Sequence, residues 1–173
     1  MKKFWLSAWE ILEVVLISAV TVFIIRNFLA QPFLVSGASM EPNFSNGNYL
    51  IIDEVTYRFR EPERGEVIVF RYPRDRSVYF IKRIIGLPGD EVSVKNGKVI
   101  VSDNGKQILT EADTAGSVEA VLGEDQYFVL GDNRYNSFDS RNWGSVSRDE
   151  IVGLARLRLL PISEAKAFEA PQY

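Results

Sequence analysis

The residue best suited to chemistry lies in a run of small side chains near the start of the chain. Four small residues follow one another at positions 36–39, after an apolar segment, and the last of them is Ser39. Small residues allow the backbone to turn sharply and to approach another chain closely. A serine in such a turn can act as an exposed nucleophile, although an ordinary Gly/Ser turn between two strands has the same composition. The chemistry of Ser39 therefore depends on the base that the rest of the chain can supply.

The residue types that are missing from the sequence restrict the choice of base. The chain contains no histidine and no cysteine. A Ser-His-Asp triad, a histidine metal site, a thiol nucleophile and a disulfide are therefore all excluded. Among the remaining bases, lysine is the established partner of a catalytic serine. If Ser39 is a nucleophile, we expect a serine–lysine pair with no metal and no cofactor.

Lys82 is the lysine whose surroundings best suit a general base. It lies in the apolar segment Val78–Ile85, which reads as a β-strand, and it shares one face of that strand with Phe80 and Ile84. Burial would disfavour the ammonium form and lower the pKa of the lysine, which makes a base usable near neutral pH. A lysine that reaches solvent at a strand edge would give the same pattern. The neighbouring Arg83 points to the opposite face, where we expect a solvated charge.

A polar segment at positions 131–143 mixes opposite charges with aromatic residues. It contains two aspartates, two arginines, three asparagines and two serines. A solvated loop is one interpretation of this composition. Pairing between the aspartates and arginines, flanked by Phe138 and Trp143, instead favours an ordered loop in which Ser137 is free to orient another group.

The elements that must position these residues begin with an apolar stretch at the N-terminus. Residues 4–25 would form a helix about 33 Å long, which matches a bilayer core. Glu10 and Glu13 interrupt the stretch, but they lie on one helix face near the lysine end. A single transmembrane helix within residues 1–30 is the favoured prediction, with an interfacial amphipathic helix and a cleaved signal peptide as alternatives. Such a helix predicts a cell-membrane protein. The lysines at positions 2 and 3 predict its orientation, with a cytoplasmic N-terminus and an extracytoplasmic main domain.

From residue 31 onward the sequence has the pattern of a β domain. Short apolar or alternating runs are separated by turn signals, among them Gly86–Asp90 and the dipeptide Asn96-Gly97. No repeat or linker divides this part of the chain. We therefore predict a mostly β fold, in which residues 31–173 form a compact catalytic domain of many short antiparallel strands. The net charge of −3 provides no basic field that would attract nucleic acid.

Taken in order, these segments resemble the bacterial type I signal peptidases, the serine–lysine membrane proteases that remove signal peptides from exported proteins. The resemblance rests on the motifs SGASMEP at 36–42, RGEVIVFRYP at 64–73, KRIIGLPGD at 82–90 and GDNRYNSFDSR at 131–141. It covers nearly the whole chain. It implies that Ser39 is the nucleophile and that Lys82 is the general base.

The resemblance also implies supporting roles for the last motif. Ser137 matches a serine of the family that helps to hold the lysine. Asp139 is the aspartate that we expect nearest to the lysine network. The resemblance further implies a charged framework, formed by Asp132, Arg134, Asp139 and Arg141.

The chain departs from the family pattern at two positions. Some relatives carry a serine two residues before the nucleophile that donates to the oxyanion, whereas this chain has Gly37. The backbone N–H of Ser39 is therefore the expected oxyanion donor. The first motif also usually ends in proline and threonine, and here Pro42 is followed by Asn43.

The implied activity is endoproteolysis of exported preproteins after a small-x-small site, with the substrate bound as an added strand. The expected partners are preproteins that carry signal peptides, and the lipid bilayer. A non-catalytic, membrane-tethered β-domain that binds extended peptides or envelope partners is the main alternative. A serine–lysine self-cleaving regulator is another, but no helix-turn-helix precedes the catalytic stretch. The resemblance places six residues near the substrate pockets, and all of them are equally good core candidates: Phe33, Val35, Met40, Phe44, Phe80 and Ile81.

Overall fold

The computed structural model describes residues 2–24, 30–111 and 113–168. The chain begins with helix α1 (Lys2–Ile24), and most of the elements that follow are short antiparallel strands. The mostly β fold that was predicted from the sequence is confirmed. The side chains of α1 are exposed along positions 9–23. Within the described ranges, no helix meets the length and apolarity needed to cross a membrane.

Most of the described strands belong to one antiparallel sheet, and the others form a smaller one. A short helix, α2 (Ser140–Trp143), follows the ninth strand. The strands in chain order are β1 (Ala30–Leu34), β2 (Tyr49–Asp53), β3 (Val67–Tyr72), β4 (Asp75–Gly86), β5 (Glu91–Lys95), β6 (Lys98–Asp103), β7 (Lys106–Glu111), β8 (Val118–Val121), β9 (Gln126–Leu130), β10 (Val146–Ser147), β11 (Ile151–Leu160) and β12 (Lys166–Ala167).

The larger sheet leaves two strand edges open next to each other. Its strands follow the order β1-β2-β11-β3-β4-β9-β10, with β12 beside β11. Among the described residues, β1 pairs with β2 alone. The long strand β4 pairs with β3 over nearly its whole length, but it pairs with β9 only from Arg83 onward. No strand in the described part of the chain pairs with this side of β4 before Arg83, so the first part of β4, which ends at Lys82, offers an open backbone edge.

The smaller sheet has the order β7-β6-β5-β8 and is built from hairpins that the sequence predicts. Asn96-Gly97 and Asn104-Gly105 lie at the turns on either side of β6, and all four residues have φ between +49° and +77°. Such turns favour Asn-Gly because both central residues need a positive φ. Alternate valines of β5 and β6 point inward and pack against the end of β4 and against β9.

The core cluster that matters most for the site surrounds the segment after β1. Met40 and Phe44 are 1% and 0% exposed, and they pack with residues of β2, β3 and β11. Each buried side chain of this size stabilises the fold by about 1.5–3 kcal/mol. Two apolar anchors therefore fix the backbone directly after Ser39 to the larger sheet.

Candidate active site

Ser39 and Lys82 are 43 positions apart in the sequence and are in contact in the structure. The Nζ atom of Lys82 donates to the Oγ atom of Ser39 at 2.8 Å and to the carbonyl oxygen of Ile81 at 2.8 Å. Lys82 is only 4% exposed. This burial lowers the pKa of Lys82 to about 8, although the charges of Asp139 and Asp132 act in the opposite direction. The geometry and the pKa are those needed for a serine nucleophile beside a lysine base.

The turn that carries Ser39 is shaped by Gly37 and by the asparagines that follow it. Gly37 has φ +95°, in the left-handed region that glycine adopts without strain. Its N–H donates to the Oδ1 atom of Asn46 at 3.0 Å. The N–H of Val35 donates to the carbonyl of Asn48 at 2.9 Å, which closes the loop back onto β1. Among the residues that the structure describes, no heavy atom lies within 4 Å of the place where a Gly37 Cβ would stand.

A second loop, at positions 131–134, forms a hydrogen bond with the carbonyl of Ser39. The N–H of Asn133 donates to this carbonyl at 3.0 Å, and the Asn133 side chain donates to the carbonyl of Ala38 at 3.2 Å. A Cβ on Gly131 would lie 2.5 Å from the same Ser39 oxygen and 2.2 Å from the Oγ atom of Ser137. Neither Gly131 nor Asn133 was predicted from the sequence as a site residue. Their place in the motif at 131–141, directly after a strand, was the signal that could have identified them.

Asp132 binds the arginine that follows the lysine. Its two carboxylate oxygens accept hydrogen bonds from the Nε and Nη2 atoms of Arg83 at 2.7 and 2.6 Å. The side chains of Arg83 and Asp132 are 14% and 7% exposed. The expectation of a solvated Arg83 is therefore wrong, because a carboxylate from a distant loop lies on that face of β4.

Asp139 organises the rest of the polar loop. It is completely buried, it caps α2, and its Oδ2 atom accepts a hydrogen bond from the N–H of Gly131 at 3.1 Å. Arg141 binds both of its carboxylate oxygens at 2.8 Å. A fully buried carboxylate is tolerated because it is paired and accepts several hydrogen bonds. The loop is ordered, as the second interpretation of the sequence expected.

Arg134 and Ser137 complete the set of predicted residues in this loop. Arg134 donates to the carbonyl of Gly131 at 3.0 Å and to the Oγ1 atom of Thr114 at 2.8 Å, and it pairs with Glu111. These contacts tie the loop to the segment that follows β7. The Oγ atom of Ser137 is buried and has no hydrogen-bond partner among the described residues. Its predicted role in holding the lysine remains a prediction.

An apolar groove of about 350 Å³ leads to Ser39 and Lys82 between the open edges of β1 and β4. The rings of Phe33 and Tyr79 meet across it, with their centroids 5.4 Å apart. Four of the six predicted pocket residues line this groove: Phe33, Val35, Phe80 and Ile81. The other two do not line it. Met40 and Phe44 pack behind its wall in the core, because their side chains point into the sheet.

Comparison with known proteins gives the family. The model of the family described as signal peptidase, peptidase S26, matches residues 8–160. The probable signal peptidase I-2 of Synechocystis sp. is 44% identical over 168 residues, an alignment that covers 90% of this chain and 75% of the relative. This chain belongs to the signal peptidase I family. Signal peptidase I P of Bacillus subtilis subsp. natto is 33% identical over 170 residues, and this alignment covers 90% of this chain and 90% of the relative.

The family also has a solved member that matches part of the chain. A crystal structure of a signal peptidase I from Enterococcus faecalis V583 aligns with 55% of this chain and 97% of its own, with 28% identity and a TM-score of 0.47. Membership of the signal peptidase I family makes the protein a serine endopeptidase. Both the resemblance and the enzyme class that were predicted from the sequence are confirmed.

Proposed function

We propose that this protein removes signal peptides from exported preproteins, with Ser39 as the nucleophile and Lys82 as the general base. The observation that carries the proposal is the 2.8 Å contact between Lys82 Nζ and Ser39 Oγ at the end of an apolar groove. A nucleophile and a base within hydrogen-bond reach are the geometric signature of covalent catalysis by a serine. Family membership supports the same function.

The chemistry follows from the neutral form of the lysine. Neutral Lys82 accepts the proton of Ser39 as the Oγ atom attacks the scissile carbonyl carbon, and the carbonyl oxygen takes the electron pair. The resulting ammonium then gives its proton to the leaving amine as the C–N bond breaks. Water, deprotonated by the same lysine, cleaves the acyl-enzyme and restores the hydroxyl of Ser39. The backbone N–H of Ser39 is our proposed donor to the oxyanion, because Gly37 has no side chain to contribute.

The environment of the lysine supports this assignment. A pKa of about 8 leaves about one tenth of Lys82 neutral at pH 7 and half of it neutral at pH 8. The two carboxylates that favour the ammonium form, Asp132 and Asp139, are each bound by an arginine. Arg83 and Arg141 therefore offset much of the negative charge near the base. We therefore assign the charged framework to the environment of the lysine, and we do not assign its residues to the reaction itself.

The groove is suited to an extended peptide. The open edges of β1 and β4 present unpaired backbone groups on its two sides, and an added strand can pair with them. Apolar side chains that include Phe33, Val35 and Ile81 restrict the space beside the nucleophile. We propose that these walls admit alanine-sized side chains and reject larger ones at the positions that face them.

We also propose that residues 1–30 anchor the enzyme in the cell membrane, with the N-terminus in the cytoplasm and residues 31–173 as the extracytoplasmic catalytic domain. The proposal is supported by the exposed apolar side chains of α1, such as Ile11, Val15 and Phe23. An anchor holds the site close to membrane-tethered precursors and so raises their effective concentration without any new contact.

A cleavage assay tests the proposed function. The full chain in detergent is incubated with a precursor that carries an Ala-x-Ala site, and the products are identified by mass spectrometry. We expect a single cut after the site for the wild type and no cut for Ser39→Ala or Lys82→Met. Cleavage by Lys82→Met at the wild-type rate would rule out Lys82 as the base. A folded wild type that binds the precursor but does not cut it would favour the non-catalytic peptide-binding alternative.

A further inference from the structure

Asn43 is an exposed residue outside the groove that bonds to the loop beside the serine–lysine pair. It lies four residues after Ser39, where the motif of the family usually has threonine. The Nδ2 atom of Asn43 donates to the Oδ2 atom of Asp132 at 2.8 Å. Its backbone carbonyl accepts a hydrogen bond from the Nη1 atom of Arg158 at 3.0 Å. Asn43 is therefore held by both its backbone and its side chain.

The carboxylate that Asn43 reaches belongs to the environment of the lysine. The same Oδ2 atom of Asp132 accepts a hydrogen bond from the Nη2 atom of Arg83 at 2.6 Å. Arg83 is the residue directly after Lys82 on β4. The residue after Asp132, Asn133, donates its N–H to the carbonyl of Ser39. Asp132 is thus the point at which the nucleophile segment, the base strand and the loop at 131–134 meet.

Arg158 holds the other side of Asn43. Besides the carbonyl of Asn43, its guanidinium binds the Oδ1 atom of Asn48 at 3.1 Å and the carbonyl of Glu164 at 2.8 Å. The side chain of Arg158 is only 12% exposed, although the carbonyls of Asn43 and Glu164 that it binds lie at exposed positions. With its backbone held from β11, the side chain of Asn43 has a defined direction toward Asp132. Asparagine also reaches one bond further than the threonine hydroxyl of the usual motif.

We propose that Asn43 is a positioning residue, which acts through Asp132 to hold the nucleophile segment in register with the strand that carries Lys82. This inference rests on the proposed serine–lysine function. Neither Asn43 nor Asp132 touches the reacting atoms. The expected consequence of losing the amide is a change in turnover rather than in substrate binding, because the groove does not include this residue.

The test compares two variants with a matched control. Asn43→Ala removes the amide, and Asn43→Asp keeps its shape but places a second carboxylate against Asp132. Gln107→Ala is the control, because it removes an exposed amide from the smaller sheet, far along the chain from the site. For Asn43→Ala we expect kcat to fall about three- to tenfold, with KM within about twofold of the wild-type value. For Gln107→Ala we expect no change in either constant.

Asn43→Asp measures how strongly a charge at position 43 acts on Lys82 through Asp132, whereas Asn43→Ala measures the loss of the amide itself. Lys82 is faced by the carboxylates of Asp132 and Asp139, which are paired with Arg83 and Arg141. An additional anion beside Asp132 increases the negative charge near Lys82, so it favours the ammonium form of the lysine. We expect the rise of kcat with pH to move to higher pH in Asn43→Asp, and the NMR titration of the Lys82 ε-carbon to move with it.

The outcomes separate the two proposals. If Asn43→Ala and Asn43→Asp match Gln107→Ala in kcat and leave the lysine titration unchanged, the positioning role of Asn43 is refuted while the serine–lysine mechanism stands. If the wild type does not cleave the Ala-x-Ala precursor, or if Ser39→Ala still cleaves it, the proposed function fails. The NMR titration needs no substrate, so in that case it still measures whether position 43 is coupled to the protonation of Lys82.

Discussion

Gly131→Ala is the substitution whose effect follows most directly from the structure. A Cβ at this position would stand 2.2 Å from the Oγ atom of Ser137, 2.6 Å from its Cβ atom and 2.5 Å from the carbonyl oxygen of Ser39. Ordinary contacts between such atoms begin at about 3.4 Å, so an added methyl group intrudes by about 1 Å. One of the contacted atoms belongs to the backbone of the nucleophile and cannot rotate away. The turn that carries Ser39 or the loop that carries Ser137 must therefore shift.

The size of that shift sets the expected magnitude. Displacement of a reacting group by about 1 Å lowers the rate by about 100-fold, and overpacking of a buried position costs about 1–3 kcal/mol of stability. We therefore expect kcat of Gly131→Ala to fall by about two orders of magnitude at a temperature at which the protein remains folded. The precursor cleavage assay at pH 8 measures the rate, and urea denaturation measures the free energy of unfolding.

Two other glycines provide matched controls. At Gly86 a Cβ would meet side-chain atoms of Leu122 and Val92 at 2.7 Å, between the smaller sheet and β9. Gly86→Ala should therefore lose stability to a similar degree but keep kcat within about threefold of the wild-type value. At Gly123 the nearest atom, on Gln126, is 3.5 Å away, so Gly123→Ala should change neither property. Wild-type kcat in Gly131→Ala, or an equal loss of kcat in Gly86→Ala, would refute the reasoning.

Two predictions concern the protonation of Lys82. On the proposal that the neutral amine is the base, kcat/KM should rise with pH and reach half of its plateau near pH 8, and a midpoint near the ordinary lysine value of 10.5 would contradict the burial argument. The lowered pKa also means that the unfolded chain binds more protons than the folded chain between about pH 8 and pH 10.5. The free-energy cost of burying the charged lysine is therefore fully present below pH 8, and it decreases as the pH rises from about 8 to 10.5. Lys82→Met should accordingly be more stable than the wild type at pH 7, by about 1–3 kcal/mol in urea denaturation, with an advantage that shrinks toward pH 10.5. A Lys82→Met protein that is less stable than the wild type at pH 7 would show that the hydrogen bonds of the lysine outweigh its desolvation.

The local features of this protein could be predicted because they depend on residue types and on neighbours in the chain. The absence of histidine and cysteine by itself made lysine the favoured base for a catalytic serine. The Asn-Gly dipeptides predicted the hairpin turns, since a positive φ at two successive positions is a property of those residues. The apolar face around Lys82 indicated either a buried amine or a lysine that reaches solvent at a strand edge, and the structure shows the first, with Lys82 only 4% exposed.

What depends on contacts between distant segments was decided only by the tertiary structure. The sequence placed Arg83 in solvent, but a carboxylate from position 132 covers it. The family resemblance placed Met40 and Phe44 near the substrate pockets, and the structure has both in the core, because an apolar residue suits a groove wall and a sheet interior equally well. The surroundings of Gly131 and Asn43 were likewise decided by the fold, which brings Ser39 next to Gly131 and Asp132 next to Asn43. Residue types and spacing determined which groups could react, and packing decided which atoms meet, because long-range contacts arise from the whole fold and not from local preference.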